Sequence, residues 1–274
     1  MVKIAVVQMT SGIDPAANAA TLTAAVAEAA AGSAAMVFAP EMAAMIDRDR
    51  IRAATHIVPE SDSPFVAALQ AAARDHNIWV HSGSLAVRSE NGHWRNRSLV
   101  IDPFGAIHAS YDKMHLFDVD LPTGESWRES SAYEAGDALA MVDCPVGLLG
   151  LSICYDLRFA ALFDAYGAAG ATAIAVPSAF TVPTGAAHWH MLLRARAVEQ
   201  GCYIIAPAQT GQHQDGRATY GHSMVVDPWG QVLLDMGDAP GIGYAEIDLT
   251  QVNEVRSHLP AILHRRAIPA IRQS

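Results

Sequence analysis

Basic residues are scarce in this 274-residue chain, with 18 Lys and Arg against 28 Asp and Glu and a formal net charge of −10. That balance argues against nucleic acid as a partner, because a phosphate backbone is held by a basic surface. It does not exclude an anionic small molecule, which needs only a local cation. Cysteine is scarcer still. Three cysteines without framework spacing exclude a disulfide scaffold and suit a reducing, cytoplasmic compartment. There is no HExxH and no Cys/His cluster, so the twelve histidines do not amount to a metal hydrolase. His188 and His190, two apart on an expected helix, diverge. No Walker sequence occurs, and Gly167-Ala-Ala-Gly170 lies between a helix and a strand, the reverse of a dinucleotide fingerprint. The start, MVKIAVVQMT, lacks a signal-peptide h-region and reads as a strand. Ala165 to Leu193 carries no Asp, Glu, Lys or Arg, but Pro177 and Pro183 interrupt it, which fits a strand–loop–helix rather than a membrane segment.

The chain is 51% hydrophobic, and much of that share is alanine, which favours helices packed closely on a sheet. Ile4–Gln8 and Ala35–Ala39 read as buried strands. A helix is expected over Asn18–Ala31, after an Asp14-Pro15 turn, and another over Ser63–His76, capped by Ser63 with Pro64 in its first turn. Strands follow at Ile78–Val87, Arg97–Asp102 and His108–Asp112. The pattern then recurs: strand Leu148–Ile153, helix Phe159–Ala168, strand Ala171–Val176, helix His188–Glu199, strand Cys202–Pro207.

Ser98-Leu-Val-Ile-Asp-Pro-Phe-Gly105 is mirrored by Ser223-Met-Val-Val-Asp-Pro-Trp-Gly230. The chain therefore reads as two repeated β-α-β-α-β-β halves, each supplying a sheet with helices on one face. Stacking the sheets gives an α/β four-layer α-β-β-α sandwich, one domain over 1–274.

Three segments put a reactive side chain just past the C-terminal end of an expected strand: Pro40-Glu41, Tyr111-Asp-Lys113-Met-His and Ile153-Cys154-Tyr-Asp-Leu-Arg-Phe159. In open α/β sheets ligands bind at that edge. A thiol needs a base to attack a carbonyl. A shielded carboxylate can be that base, and an ammonium or backbone N–H can stabilise the oxyanion that forms. Singly, each has a plainer explanation. A strand-end cysteine is usually a buried hydrophobe, as Cys144 and Cys202 are taken to be, and the Glu and Lys would be surface charges. Their convergence in repeat-equivalent or insertion positions favours chemistry.

Pro-Glu41, Tyr-x-Lys113-x-His-Leu-Phe-Asp and Ile-Cys154-Tyr-Asp-Leu-Arg-Phe resemble the three signature segments of the nitrilase superfamily of carbon–nitrogen hydrolases. The resemblance runs from Ile4 to His258-Leu-Pro. It implies a Glu41–Lys113–Cys154 triad and a second glutamate between Lys and Cys. Glu129 is the best match for that glutamate, with Glu125 and Glu134 as competitors. It implies amide hydrolysis through a cysteine thioester, an oxyanion held by Lys113 and the Tyr155 N–H, no cofactor, no metal, and a homodimer. Intact Glu41, Lys113 and Cys154 argue against an inactive scaffold.

His115-Leu-Phe-Asp-Val-Asp-Leu-Pro, with Ala208-Gln-Thr-Gly up to Arg217-Ala-Thr-Tyr-Gly-His222-Ser, resembles the branch containing deaminated glutathione amidase and omega-amidase, more the former. Substrates implied by that branch are 2-oxo acids bearing a terminal amide; 2-oxoglutaramate, N-carbamoyl and aliphatic amides are alternatives. Arg158 and Arg217 are candidate partners for a substrate carboxylate, and a structural ion pair is the competing role for each. Ala160 stands where the family usually has proline, and 267–274 departs from the usual ending.

Overall fold

The structure, a computed structural model, describes residues 1–120, 124 and 126–272. In strand Val2–Gln8, Ile4 and Val6 share a core cluster with Met36 and Phe38 of Met36–Phe38 and with the second sheet's Leu151 and Ile174. Ala5, Val7 and Val37 belong instead to a cluster with helices Pro15–Ala31 and Pro64–His76. Both parities of the strand are apolar because both of its faces are covered. Asp14 caps the first helix by accepting from Ala16 N–H at 2.9 Å, which starts it at Pro15 rather than Asn18. Ser63 and Pro64 open the second as expected.

The first sheet runs Gly241–Ile247, Val2–Gln8, Met36–Phe38, Trp79–His81, Trp94–Ile101, with Leu85–Arg88 and Ile107–Asp112 also paired to Trp94–Ile101. The second runs Val232–Asp235, Met224–Val226, Tyr203–Ala206, Ala173–Ala175, Gly147–Leu151, Met141–Cys144. Helices Ala160–Ala168 and Val182–Gln200 cover it through Phe163, Tyr166, Trp189 and Leu193. The four layers are those expected.

The repeat is visible in detail. Asp102 accepts from Phe104 N–H at 2.9 Å and Ala106 N–H at 2.8 Å, and Asp227 from Trp229 N–H at 2.9 Å and Gln231 N–H at 2.8 Å. Gly105 and Gly230 follow with φ of +79° and +86°. The halves do not each build a whole sheet, however. Gly241–Ile247 pairs antiparallel with Val2–Gln8 along its whole length, in the place that Met141–Cys144 takes beside Gly147–Leu151. It covers what would otherwise be an open sheet edge.

Two elements depart furthest from expectation. Ile78–Val87 is interrupted at Ser82-Gly83-Ser84 and forms two strands, Trp79–His81 and Leu85–Arg88. The helix at His188–Glu199 begins six residues earlier, at Val182, because Pro183 is tolerated in a first turn. The charge-free stretch divides among helix, strand and helix, and no helix among the described residues is long and apolar enough to cross a membrane.

His81 is fully buried, accepts from Gly83 N–H at Nδ1 (3.2 Å), and so donates from Nε2 to Ser98 Oγ at 3.0 Å. Burial pulls its pKa down to about 3. The unfolded chain takes up a proton below about pH 6.5 that the folded chain refuses. Stability contributed by His81 is therefore complete above that value and lost as pH falls toward 3. Chemical denaturation from pH 7 to 5 is expected to show a decline, with His81 contributing up to about 1.4 kcal/mol per pH unit below its unfolded pKa; a His81→Gln variant should show a shallower one.

Candidate active site

Glu41 sits on the turn leaving Met36–Phe38. The interrupted strand fixes it: Ser84 N–H donates to Pro40 O at 3.2 Å, Met42 N–H to Ser84 Oγ at 3.0 Å and Ala43 N–H to Ser84 O at 2.8 Å. Gly83, at φ +68°, lets these backbones meet, since a Cβ there would lie 1.9 Å from Pro40 O. Lys113 follows Ile107–Asp112, with its N–H on Asn96 O at 2.9 Å. Cys154 follows Gly147–Leu151 and opens a short 3-10 turn, Cys154–Arg158; its N–H donates to Pro177 O at 2.9 Å. Its φ of +49° is left-handed, a sparsely populated state for a side-chain-bearing residue.

These three residues and Glu129 converge. Lys113 Nζ donates to Glu41 Oε1 at 2.8 Å and to Glu129 Oε2 at 2.9 Å and Oε1 at 3.1 Å. Glu129 also accepts from Phe117 N–H at 2.7 Å. Glu41, Lys113 and Cys154 are all buried. Burial alone would lower the Lys113 pKa, but the carboxylates of Glu129 and Glu41 outweigh it and hold the ammonium well above its usual value. The Cys154 thiol is pushed up, first by burial and then by the Glu41 charge, with Lys113 opposing. The resting site is thus a neutral thiol beside a fixed ammonium and two carboxylates. Of the competitors for the second glutamate, Glu134 pairs with Arg95 at 2.7 Å away from the triad, and Glu125 lies outside the described residues.

Sequence reasoning missed two supports. Asn96 Nδ2 donates to Glu41 Oε1 at 3.0 Å and Glu129 Oε1 at 3.3 Å, spacing the carboxylates around the lysine. Asp156, fully buried, accepts from Ile153 N–H (2.8 Å), Tyr111 O–H (2.7 Å), His115 N–H (3.0 Å) and His115 Nδ1 (2.8 Å). It ties the Cys154 turn to the Lys113 segment. The only prior signal was that Tyr111, His115 and Asp156 flank the reactive residues.

The triad opens into a cavity of about 690 Å³, lined also by Phe117, Trp127, Tyr155, Arg158 and Arg217. Arg158 lies over the Phe180 ring at 5.4 Å and donates to His188 Nδ1 at 3.3 Å; it pairs with no carboxylate among the described residues. Arg217 is bound to the buried Asp215 at 2.8 Å, so for Arg217 the ion-pair role is the one observed. His188 and His190 do diverge, one to Arg158 and the other to Asp235. Of the remaining thiols, Cys202 is buried as expected and pushed up to about 12, whereas Cys144 is only half-buried.

A cysteine thiol at a strand end, with a carboxylate and an ammonium at the same sheet edge of a four-layer sandwich, fits a hydrolase, and the comparisons agree. The carbon–nitrogen hydrolase family matches residues 3–257, and the chain belongs to that family. It is 39% identical over 270 residues to human deaminated glutathione amidase, covering 96% of this chain and 82% of that one. It is 41% identical to the Caenorhabditis elegans nitrilase and fragile histidine triad fusion protein NitFhit, covering 96% of this chain but only 60% of that protein's length. The NitFhit crystal structure superposes with a TM-score of 0.90 over 97% of this chain and 65% of that one, at 40% identity. Saccharomyces cerevisiae Nit3, a member of branch 10 of the nitrilase superfamily, gives 0.85 at 29% identity over 94% of each chain.

Proposed function

We propose that this protein is a thiol-dependent amidase that cleaves the terminal amide of a small 2-oxo acid through a Cys154 thioester. The buried Lys113 clamped between Glu41 and Glu129, beside the Cys154 thiol, carries this reading. Glu41 takes the thiol proton as Sγ attacks the amide carbon. Lys113 and the Tyr155 N–H stabilise the oxyanion. The C–N bond breaks as Glu41 returns the proton to the departing nitrogen, and amine or ammonia leaves. Glu41 then deprotonates water, which attacks the thioester, releases the acid and restores the thiol. Glu129 holds the ammonium in place. None of these steps draws on a cofactor. The E41Q mutant of an amidase from Nesterenkonia sp. AN1, 25% identical with a TM-score of 0.80 over 95% of this chain and 98% of that one, has been solved with acrylamide added at its active-site cysteine, which supports the role given to Cys154.

The cavity favours a carboxylated substrate. Arg50 and Arg158, neither paired with a carboxylate among the described residues, line it alongside Glu41, Asp47 and Glu129, in a chain of net charge −10. Its volume exceeds what a simple aliphatic amide fills. The relatives named as deaminated glutathione amidase add to this. Product release from a panel of deaminated glutathione, 2-oxoglutaramate, N-carbamoyl compounds and aliphatic amides tests the reading. The 2-oxo amides are expected to dominate, and preference for an uncharged aliphatic amide would overturn it. Arg158, which pairs with no carboxylate among the described residues, is the residue proposed to meet the substrate carboxylate. Arg158→Ala is expected to raise KM for a 2-oxo amide by about 10- to 100-fold, the worth of a charged hydrogen bond. Arg217→Ala should change KM far less, because that guanidinium is already committed to Asp215. Steady-state kinetics of the two variants side by side checks both.

A homodimer in a reducing, cytoplasmic setting is part of the same proposal. Three unpaired cysteines support the compartment. Exposed Met191, Val198 and Trp229 support a subunit contact, which sedimentation equilibrium tests.

A further inference from the structure

Away from the catalytic cavity, His190, His222 and Asp235 bring two imidazoles and a carboxylate together, with their ligand atoms all within 4.8 Å of one another. Three different elements supply them. His190 comes from helix Val182–Gln200, His222 from the turn after Ala218–Tyr220, and Asp235 from the end of Val232–Asp235. His222 takes a left-handed φ of +56° to present its ring, which stacks on Tyr220 at 4.5 Å. His190 Nε2 lies 2.9 Å from Asp235 Oδ2, and His222 Nδ1 lies 2.8 Å from Asp235 Oδ1. The catalytic scheme uses none of the three.

We propose that His190, His222 and Asp235 form a site for a divalent transition metal of the Zn²⁺, Co²⁺ or Ni²⁺ kind, with water completing the coordination. Imidazole nitrogen with one carboxylate suits these ions and not Mg²⁺ or Ca²⁺, which take oxygen ligands. Bonds of about 2.0–2.1 Å in a tetrahedron place neighbouring donors about 3.3 Å apart. The observed 2.8 and 2.9 Å contacts need open by only about half an ångström to reach that spacing. The histidines now donate to Asp235 from the nitrogens that would hold the ion. On binding, each imidazole gives up the proton on that nitrogen and carries its remaining proton on the far one. His222 has an acceptor waiting there, since Asp238 Oδ1 lies 3.3 Å from Nε2. A carboxylate on the far nitrogen is the usual orienting partner of a metal-bound histidine. The side chains of His190, His222 and Asp235 remain 39%, 23% and 31% exposed, so an ion has access without local unfolding.

The site would bind Val182–Gln200 to the second sheet's edge strand. Its role is structural, and amide hydrolysis needs no occupancy. Co²⁺ titration of Cys154→Ala protein, in which the catalytic thiol cannot bind the ion, is the test. One equivalent is expected to bind with the visible absorption of tetrahedral Co²⁺, to be displaced by Zn²⁺, and to raise the melting temperature. His190→Gln and Asp235→Asn should each abolish the spectrum, and Asp238→Asn should weaken binding about tenfold. In a Cys154-containing background, His190→Gln should keep wild-type amidase turnover. His190 is partly exposed, and circular dichroism verifies that its variant folds. No absorption change with the parent protein, or an unchanged spectrum in folded His190→Gln and Asp235→Asn, overturns the proposal and leaves the cluster as a hydrogen-bonded clasp.

Discussion

Cys154→Ala is expected to lower amide turnover by about 10⁴-fold or more, at least about 5.5 kcal/mol of transition-state stabilisation. The fold should survive it. Alanine keeps the Cβ, the N–H bond to Pro177 O and the same left-handed backbone, so thermal stability should change by about 1 kcal/mol or less. Loss of activity with an unchanged melting curve is what separates a nucleophile from a buried hydrophobe. Product release and thermal denaturation on one preparation measure both. Residual turnover near wild type would remove Cys154 from the chemistry.

Lys113→Met is expected to damage both activity and stability. The ammonium contacts Glu41 and Glu129 at 2.8 and 2.9 Å with almost no exposure. Removing it leaves the buried Glu41 carboxylate and the partly buried Glu129 carboxylate without their shared cation. Breaking such a pair costs about 3–5 kcal/mol, and on the proposed mechanism losing an oxyanion donor is expected to lower kcat by about 10²–10³-fold. The sign of the pH dependence follows from the raised Lys113 pKa. Its stabilising contribution is complete throughout the neutral range and is lost only as pH climbs through the elevated folded value. Wild type should therefore show no loss from this group between pH 6 and 9. The variant should be less stable than wild type throughout that range. Urea denaturation of both proteins at pH 6 and pH 9 checks this.

Glu41, Lys113 and Cys154 could be read from the sequence because each ends a recognisable strand and carries distinctive flanks. The Asp-Pro-aromatic-Gly repeat was equally legible, since an Asp that accepts two backbone N–H groups and a glycine at positive φ are local devices. Asn96 was not. It lies within Trp-Arg-Asn-Arg-Ser, which reads as an exposed polar run, and only the register beside Leu85–Arg88 buries it between two carboxylates. Asp156 shows no task in the sequence, because its four donors come from two distant segments, Tyr111–His115 and Ile153. Gly241–Ile247 escaped for a similar reason. Its partner is the first strand of the chain, a pairing that hydrophobic periodicity does not record. Arg217 shows the reverse limit. A guanidinium near the active site looks like a ligand clamp until the buried Asp215 two residues away is seen to hold it.

Hydroxylamine partitioning tests the thioester most directly. Wild-type enzyme turning over a 2-oxo amide in rising hydroxylamine should divert product from acid to hydroxamate, because an acyl group on Cys154 is open to either nucleophile. Acid quenching during turnover should trap the same acyl group as added mass on the Cys154 peptide. Acid as the sole product at every hydroxylamine concentration, with no added mass on that peptide, would contradict covalent catalysis by Cys154.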